Sequence, residues 1–160
     1  MIRYYLLLIL GLTALDQAIK VWVRTHLRPT DFIEVIPNLI HLTYQENRGI
    51  SFSLFADLPD VYRAPLLAGI SLIVIVIMGW YLINSFSEMG RLDRWGYSLI
   101  LAGALGNLID RALRHSVTDY MYFHYYDRGF FVNNLADDLI SIGFVLLVIH
   151  GLLGNRDEEG

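Results

Sequence analysis

Carboxylate side chains able to carry out chemistry gather between residues 103 and 138, beside segments that are otherwise apolar. Asp119 lies in a polar, aromatic stretch, and Asp137 lies near the start of the last apolar segment. Charged groups beside membrane-length segments are costly and usually functional. Two carboxylates at close range cannot both ionise readily, so one keeps a proton near neutral pH. We therefore predict an aspartyl-protease pair, in which the ionised Asp takes a proton from water and the protonated one binds the scissile carbonyl.

Polar residues of the preceding segment are spaced to support this pair. Gly103, Asn107 and Arg111 are four residues apart and therefore share one stripe of a predicted helix. An Asn in a membrane helix needs hydrogen-bond partners from another segment, so Asn107 is predicted to belong to a polar network. Asp110 has a simpler interpretation as the partner of Arg111, whose side chain would extend to the headgroups.

The residues around Asp137 have an alternative, purely structural explanation. Asn134 lies three residues earlier, so it can cap a helix in which Asp137 is the third residue. Capping explains these two residues but not Asp119. Asp138 is the neighbouring candidate acid, and it would point about 100° further around the helix. We choose Asp137 because it alone keeps the Asn-x-x-Asp spacing.

Asp16 and Lys20 interrupt the first apolar segment. They are four residues apart with the acid first, the favourable order for an ion pair on a helix. Two explanations stay open: a pair that makes a polar helix end tolerable, or a part of the site. The segment continues beyond both residues without an Ala-x-Ala cleavage site, which favours a retained helix over a secretory signal peptide.

Other chemistries lack their usual residue patterns. The five histidines show no His-Glu-x-x-His spacing, and the serines lack a Gly-x-Ser-x-Gly context. Cysteine is absent, which excludes disulfides, thiolate metal sites and a cysteine nucleophile. The net charge of -4 comes without a basic stripe, so no nucleic-acid partner is expected. We predict that the site needs no metal and no cofactor.

The distribution of apolar residues predicts a membrane protein. The chain of 160 residues is 55% hydrophobic with a mean hydropathy of +0.46, above the usual range of soluble domains. About 20 apolar residues cross the hydrocarbon layer. We predict a single domain, residues 1–160, with membrane helices near 3–24, 61–85, 95–113 and 134–153.

Two segments between these helices are predicted to form a cap on the water side. They cover about 27–60 and 114–133, and residues 32–36 and 39–44 resemble short strands. A short amphipathic helix at the headgroup level is predicted to begin near Phe52. We treat residues 49–58 as a candidate lid over the site.

Charge counting does not settle the topology. Four spans put both termini on one side, and a cytoplasmic location places Arg3, Arg91, Arg94 and Arg156 inside. This orientation leaves more arginines outside than inside, which the positive-inside rule disfavours. The arginines placed outside are Arg24, Arg28, Arg48, Arg63, Arg114 and Arg128.

Five short blocks together resemble the signature of bacterial lipoprotein signal peptidase (signal peptidase II). The Gly-Asn-Leu-Ile-Asp-Arg and Asn-Leu-Ala-Asp blocks are highly specific in combination, and the match extends over nearly the whole chain. The blocks are Asp16-Gln17-Ala18-Ile19-Lys20, Asn47-Arg48-Gly49-Ile50-Ser51-Phe52, Gly103-Ala104-Leu105-Gly106-Asn107-Leu108-Ile109-Asp110-Arg111, Val117-Thr118-Asp119 and Asn134-Leu135-Ala136-Asp137.

The resemblance implies an all-α membrane protein of four transmembrane helices, with a small extracytoplasmic β-cradle and a short interfacial helix. It implies a monomeric inner-membrane aspartyl protease with both termini cytoplasmic and the active site near the outer face. Its substrates would be diacylglyceryl-modified prolipoproteins, cut just before the lipidated cysteine, with membrane lipid and cyclic-peptide inhibitors as further ligands. Asp119 and Asp137 match the catalytic pair. The implied supporting residues are Asp16, Lys20, Asn47, Gly49, Phe52, Gly103, Asn107, Arg111, Asn134 and Ala136.

The chain also departs from the family pattern. Ile50 and Ser51 follow Gly49 where small, Ala-rich residues are usual, and Glu46 stands where the family often has His. Two other functions are weighed beside the peptidase. A proton- or ion-coupled carrier would spread its ionisable groups across the bilayer, and a non-catalytic scaffold would not need such specific polar blocks.

Overall fold

The computed structural model describes residues 1–49 and 59–157 and combines long helices with one small sheet. The order along the chain is helix, hairpin, two helices, hairpin, helix. The elements are α1 (Ile2–His26), β1 (Ile33–Ile36), β2 (Ile40–Asn47), α2 (Asp60–Asn84), α3 (Arg91–Arg114), β3 (Val117–Tyr125), β4 (Arg128–Asn133) and α4 (Leu135–Asp157).

Three of the four predicted membrane spans are confirmed by length and composition. Within the described residues, Ile2–His26, Val61–Asn84 and Leu135–Leu152 are long and apolar enough to cross a bilayer. Ile73, Val76 and Ile77 of α2 are each 60% exposed in the isolated chain, as a lipid-facing surface requires. The helix α3 has 24 residues but is less apolar, so its crossing stays a prediction.

The third helix begins earlier than predicted. It starts at Arg91 rather than near residue 95, because the charged residues just before 95 make contacts that stabilise the start of the helix. The Gly90 backbone N–H donates to Asp93 Oδ2 at 3.3 Å, and the Arg94 Nε donates to the carbonyl oxygen of Phe86 at 3.1 Å. The Arg94 guanidinium also lies over the Phe86 ring, at 4.5 Å from its centroid.

Small residues let α3 approach its neighbours closely. A Cβ atom on Gly103 would collide with the carbonyl oxygen of Ala136, and one on Gly143 would lie 2.6 Å from the carbonyl oxygen of Gly96. Because α3 also packs against α1 and α2, it is the central helix of the bundle. Its less apolar surface is therefore largely covered by other helices.

The two outer segments form one antiparallel sheet in the order β1-β2-β3-β4. Most of the stretch from 114 to 133, predicted only as part of the cap, is the hairpin β3–β4. In the pairing of β2 with β3, Gln45 lies opposite Asp119 and Asn47 lies opposite Val117. The sheet thereby brings the end of β2 beside Asp119.

The sheet is fixed to the bundle by an apolar cluster. Tyr120 of β3 packs against Val23 and Leu27 of α1, and all three side chains are buried. The Tyr120 hydroxyl also accepts the backbone N–H of Leu135 at 3.1 Å. The start of α4 is thus held against β3. The predicted interfacial helix, including Phe52, and most of the candidate lid fall on residues 50–58, outside the described residues.

The helix contacts give a first prediction. Gly103→Ala is expected to lower the free energy of unfolding by about 1–3 kcal/mol, because the added methyl group meets the Ala136 backbone. Gly11→Ala is the matched control, since a Cβ there has no neighbour within 4 Å. Unfolding in detergent micelles followed by tryptophan fluorescence measures both. Equal stability of the two variants would contradict this close packing.

Candidate active site

Asp119 lies at the junction of the sheet and the helices. It is only 2% exposed, and each of its carboxylate oxygens accepts a hydrogen bond from an asparagine amide. Asn134 Nδ2 donates to Oδ1 at 2.6 Å, and Asn47 Nδ2 donates to Oδ2 at 3.0 Å. The backbone N–H of Gly49 donates to Asn47 Oδ1 at 3.0 Å, which turns the amide nitrogen of Asn47 toward the acid.

Asp137 lies in the first turn of α4 and accepts a hydrogen bond from Asn107 Nδ2 at 2.8 Å. Its backbone N–H donates to Asn134 Oδ1 at 3.1 Å, so Asn134 does cap this helix. Capping by Asn134 is therefore compatible with a contact between the same amide and Asp119. The oxygen of the Asn134 amide caps α4, while its nitrogen binds Asp119. Asp138 lies apart from this arrangement and accepts from Asn133 at 2.6 Å.

A buried cation orients the amide of Asn107. Lys20 has 0% exposure, and its Nζ lies 2.9 Å from Asn107 Oδ1 and 2.9 Å from Asp16 Oδ2. Because Asn107 Oδ1 accepts from Lys20, its Nδ2 is the group that donates to Asp137. Lys20 and Asp16 therefore form an ion pair within α1 that also contacts Asn107, the residue that binds Asp137.

Asp16 joins three helices. Its Oδ1 accepts the backbone N–H of Ala136 at 3.1 Å, and a Cβ on Gly106 would collide with its carboxylate. Gln17 Nε2 donates to the carbonyl oxygen of Gly106 at 2.9 Å. These contacts hold α1, α3 and the first turn of α4 in one register. Ala136 is completely buried at the point where Asp16 and Gly103 approach it.

The close ion pairs described for Asp110 are with Lys20 and Arg24 rather than with Arg111. Asp110 is 1% exposed, and its Oδ2 accepts the backbone N–H of Thr118 at 3.0 Å. Arg24 donates both to Asp110 at 3.3 Å and to Thr118 Oγ1 at 2.9 Å. Nothing in the sequence connected Arg24 and Thr118 with Asp110. Their contacts fix β3 one residue before Asp119.

A cavity of about 400 Å³ leads to Asp137 from the bundle. Its apolar wall comes from three helices, including Leu67, Val74 and Ile140, and its polar end includes Arg111 and Asp137. Asn47, Gly49 and Asn107 complete that polar end. This arrangement suits a ligand with an apolar body and a polar group at the acid.

Asp137 and Asn47 also line a second cavity of about 330 Å³, with Phe131, Asn133 and Ser141. Asp137 is therefore reached from two sides. A larger cavity of about 640 Å³ on the sheet, lined by Phe32, Tyr44 and Tyr122 among others, contains none of the predicted site residues. Of these three cavities, the two beside Asp137 are the ones that predicted site residues line.

The surroundings of Asp119 shift its acidity. Its pKa is raised to about 6; burial is the largest cause, and the nearby Asp137 charge acts in the same direction. The hydrogen bonds from Asn47 and Asn134, together with the Lys20 charge, act in the opposite direction. The pKa of Asp119 lies above its ordinary value, so this carboxyl group holds a proton under mildly acidic conditions.

Two solved structures share this fold. One, described as a bacterial membrane enzyme at 2.3 Å resolution, superposes with a TM-score of 0.84 and 27% identity, covering 100% of this chain and 93% of that one. Another, described in the same words at 1.9 Å, gives a TM-score of 0.82 and 28% identity over 95% of this chain and 94% of that one. The class defined by fold and site is that of a bacterial membrane enzyme.

Sequence comparison gives the family. The model described as signal peptidase (SPase) II matches residues 8–153. A lipoprotein signal peptidase of Solibacter usitatus is 37% identical over 146 residues, or 89% of this chain and 87% of that protein. One from Bartonella tribocorum is 40% identical over 157 residues, or 95% of this chain and 90% of that protein. The chain belongs to the signal peptidase II family and is a peptidase of a bacterial membrane.

The Asp110 contacts predict a large effect on stability. Asp110→Asn removes the carboxylate that pairs with Arg24 and one of the two carboxylates that pair with the buried Lys20, so we expect a loss of about 3–5 kcal/mol in the free energy of unfolding. Asp127→Asn, in the exposed β3–β4 turn, is the control and should change stability by less than about 0.5 kcal/mol. Denaturant titration in micelles separates the two. Similar midpoints for both variants would refute the anchoring role of Asp110.

Proposed function

We propose that the protein is an aspartic endopeptidase that removes signal peptides from diacylglyceryl-modified prolipoproteins by cleaving before the lipidated cysteine. Family membership and relatives named as lipoprotein signal peptidases support the substrate class. One observation carries the mechanism. The amide of Asn134 binds Asp119 and caps the helix turn that bears Asp137, which holds the two acids beside one another.

The proposed reaction uses a water molecule and the pair of acids. The water oxygen attacks the scissile carbonyl carbon while Asp137 takes a proton from that water. At the same time Asp119 gives its proton to the carbonyl oxygen. In the second half, Asp137 passes its proton to the amide nitrogen and Asp119 recovers one from the tetrahedral intermediate. The C–N bond then breaks to give a carboxylic acid and the amine of the lipidated cysteine. The raised pKa of Asp119 supports its role as the proton holder.

The proposed substrate fits the apolar cavity. A diacylglyceryl group in the membrane holds the scissile bond at a defined depth, and each buried methylene adds about 0.8 kcal/mol to this hold. Leu67, Val74 and Ile140 supply apolar walls below Asp137, where the chains of the lipid would enter. Membrane lipid and the cyclic-peptide inhibitors of the family are the other ligands we propose for this monomeric enzyme.

The proposed topology has four crossings, with both termini in the cytoplasm and the site near the outer face. The helix α3 is included because it has the length of the other spans and is surrounded by them. Its charges lie toward its ends, from Arg91 to Arg94 and from Asp110 to Arg114. The buried acids Asp16, Asp110 and Asp119 belong to one connected cluster, which disfavours an ion carrier with groups spread across the bilayer.

The catalytic assignment is tested by single substitutions. Asp119→Asn and Asp137→Asn should each lower cleavage of a lipidated prolipoprotein by at least about a thousandfold, because neither variant can exchange the required proton. Asp138→Asn is the matched control and should stay active, since Asp138 contacts Asn133 rather than the pair. Gel-based cleavage assays in micelles measure all three variants. Unimpaired processing by either variant of the pair would end the proposal.

The lipid requirement is tested with two forms of one peptide. A prolipoprotein peptide whose cysteine carries diacylglycerol should be cleaved, whereas the same peptide with an unmodified cysteine should be cleaved far more slowly. The reason is that only the first form is held in the apolar cavity. Product analysis by mass spectrometry also locates the cut. Equal kcat/KM values for both forms, or a cut elsewhere, would contradict the proposed specificity.

The pH dependence gives a further prediction. Asn47 donates to the ionised form of Asp119 and so lowers its pKa. In Asn47→Ala the pKa of Asp119 should rise, and the alkaline limb of the kcat/KM profile should move to higher pH. Tyr44→Phe is the control, because the Tyr44 hydroxyl binds Glu46 on the same strand. A limb that stays in place or moves to lower pH in Asn47→Ala would contradict this assignment.

A further inference from the structure

The sheet has two edge strands that differ in how open they are to a further strand. β1 has four residues, a register shift between Glu34 and Ile36, and Pro37 directly after it. A short length, a charged side chain and a bulge are features that keep an edge from pairing with another chain. Among the described residues, β4 forms the opposite edge with six residues, and it is charged only at Arg128, where it starts. We call the free side of this strand the β4 edge (residues 128–133).

Backbone groups on the β4 edge have no neighbouring strand. β4 pairs with β3 through partners such as Phe131 with Phe123 and Asn133 with Met121, and within the described residues no strand lies on its other side. Alternate residues of an edge strand point their N–H and C=O groups away from the sheet. The first four residues of β4 are exposed. An extended peptide can therefore reach these backbone groups.

The β4 edge leads directly to the proposed catalytic acids. Phe131, Val132 and Asn133 line the cavity of about 330 Å³ that Asp137 also lines. Side chains of a strand alternate between its two faces, so a cavity bordered by three consecutive residues lies at the edge of the strand rather than on one face. The register shift in this hairpin lies on the far side of Phe131, toward Gly129. The part of the β4 edge beside Asp137 is thus regular.

Asn133 offers a hydrogen-bond acceptor at the inner end of the β4 edge. Its Nδ2 donates to Asp138 Oδ1 at 2.6 Å, so its own Oδ1 faces away from Asp138. That oxygen is buried and has no hydrogen-bond partner among the described residues. A buried acceptor without a donor is costly, and a peptide N–H bound in the cavity supplies one. Asp138→Asn retains an oxygen that accepts from Asn133, so this orientation does not require the charge of Asp138.

We propose that the substrate residues following the lipidated cysteine add to the β4 edge as a fifth, antiparallel strand. This inference rests on the proposed function and its topology. The sheet lies on the outer face, where the chain after the cysteine emerges, whereas the signal peptide stays in the membrane. A chain running outward from Asp137 passes Asn133 first and Arg128 last, opposite to the direction of β4. Main-chain pairing of this kind holds the scissile bond at the acids and accepts many different side chains.

N-methyl groups along the substrate test the pairing on the unaltered protein, because each one removes a backbone N–H. The four residues before and the four after the lipidated cysteine are methylated one at a time, and kcat/KM is measured in micelles. After the cysteine we expect a loss of about tenfold at alternate residues and little change between them, since alternate N–H groups face the same neighbour. A uniform loss, or no loss, would overturn the fifth strand. Alternation confined to the residues before the cysteine would overturn its assignment to the following chain.

Proline substitutions test the strand itself. Phe131 and Val132 are neighbours, so one directs its N–H to β3 and the other to the β4 edge. Of Phe131→Pro and Val132→Pro, the outward one should fold and lower kcat/KM about tenfold, whereas the inward one should lower stability. Val35→Pro on the β1 edge is the control, because Val35 has no partner in the register, and it should leave cleavage unchanged.

Full cleavage by both β4 variants would refute the pairing. The methylated peptides act on the unaltered protein, so they decide the question even where a proline variant does not fold.

Hydrogen exchange separates this inference from the proposed function. The intact lipidated peptide, bound to Asp119→Asn in micelles, should slow exchange of the backbone amides of 129–133 about tenfold and leave those of 33–36 unchanged. Unchanged exchange in β4, with cleavage by the unaltered protein, would remove the fifth strand and leave the peptidase in place. Slowed exchange in β4, in a protein that cleaves no prolipoprotein, would overturn the peptidase instead.

Discussion

The side-chain amide of Asn134 makes two contacts on which the geometry of the site depends. Its oxygen accepts the backbone N–H of Asp137, and its nitrogen donates to Asp119. One planar group thereby joins a strand of the outer sheet to the first turn of the last helix. Asn134 is completely buried, so neither contact can be replaced by water at low cost. The relative position of the two acids follows from this constraint.

Much of the site could be predicted because its polar residues are conspicuous in an apolar chain. A buried Asn in a membrane helix requires a partner, and Asn107 does bridge Lys20 and Asp137. Spacing alone favoured Asp137 over Asp138, and the structure places Asp137, not Asp138, at the cavity. All four helices were predicted, and three of them have the apolar length that a bilayer crossing requires.

What could not be predicted depends on contacts between distant segments. Asp110 was assigned to its sequence neighbour Arg111, but it binds Thr118, which only the packing of β3 against the bundle brings within reach. The hairpin from 117 to 133 lacks a clear alternation because aromatic and polar residues occur on both of its faces. The start of α3 was placed late because contacts with Phe86 and Asp93 make the charged first turn favourable.

The electrostatic coupling of Asp119 to Asp137 tests the account most directly. Carbon-13 NMR of aspartate-labelled protein in micelles follows the carboxyl carbon of Asp119 through a pH titration. We expect Asp119 to titrate near pH 6, and we expect Asp137→Asn to lower its pKa because a nearby negative charge has been removed. A pKa near the ordinary value that does not respond to Asp137→Asn would contradict the central claim that the two carboxylates act as one pair.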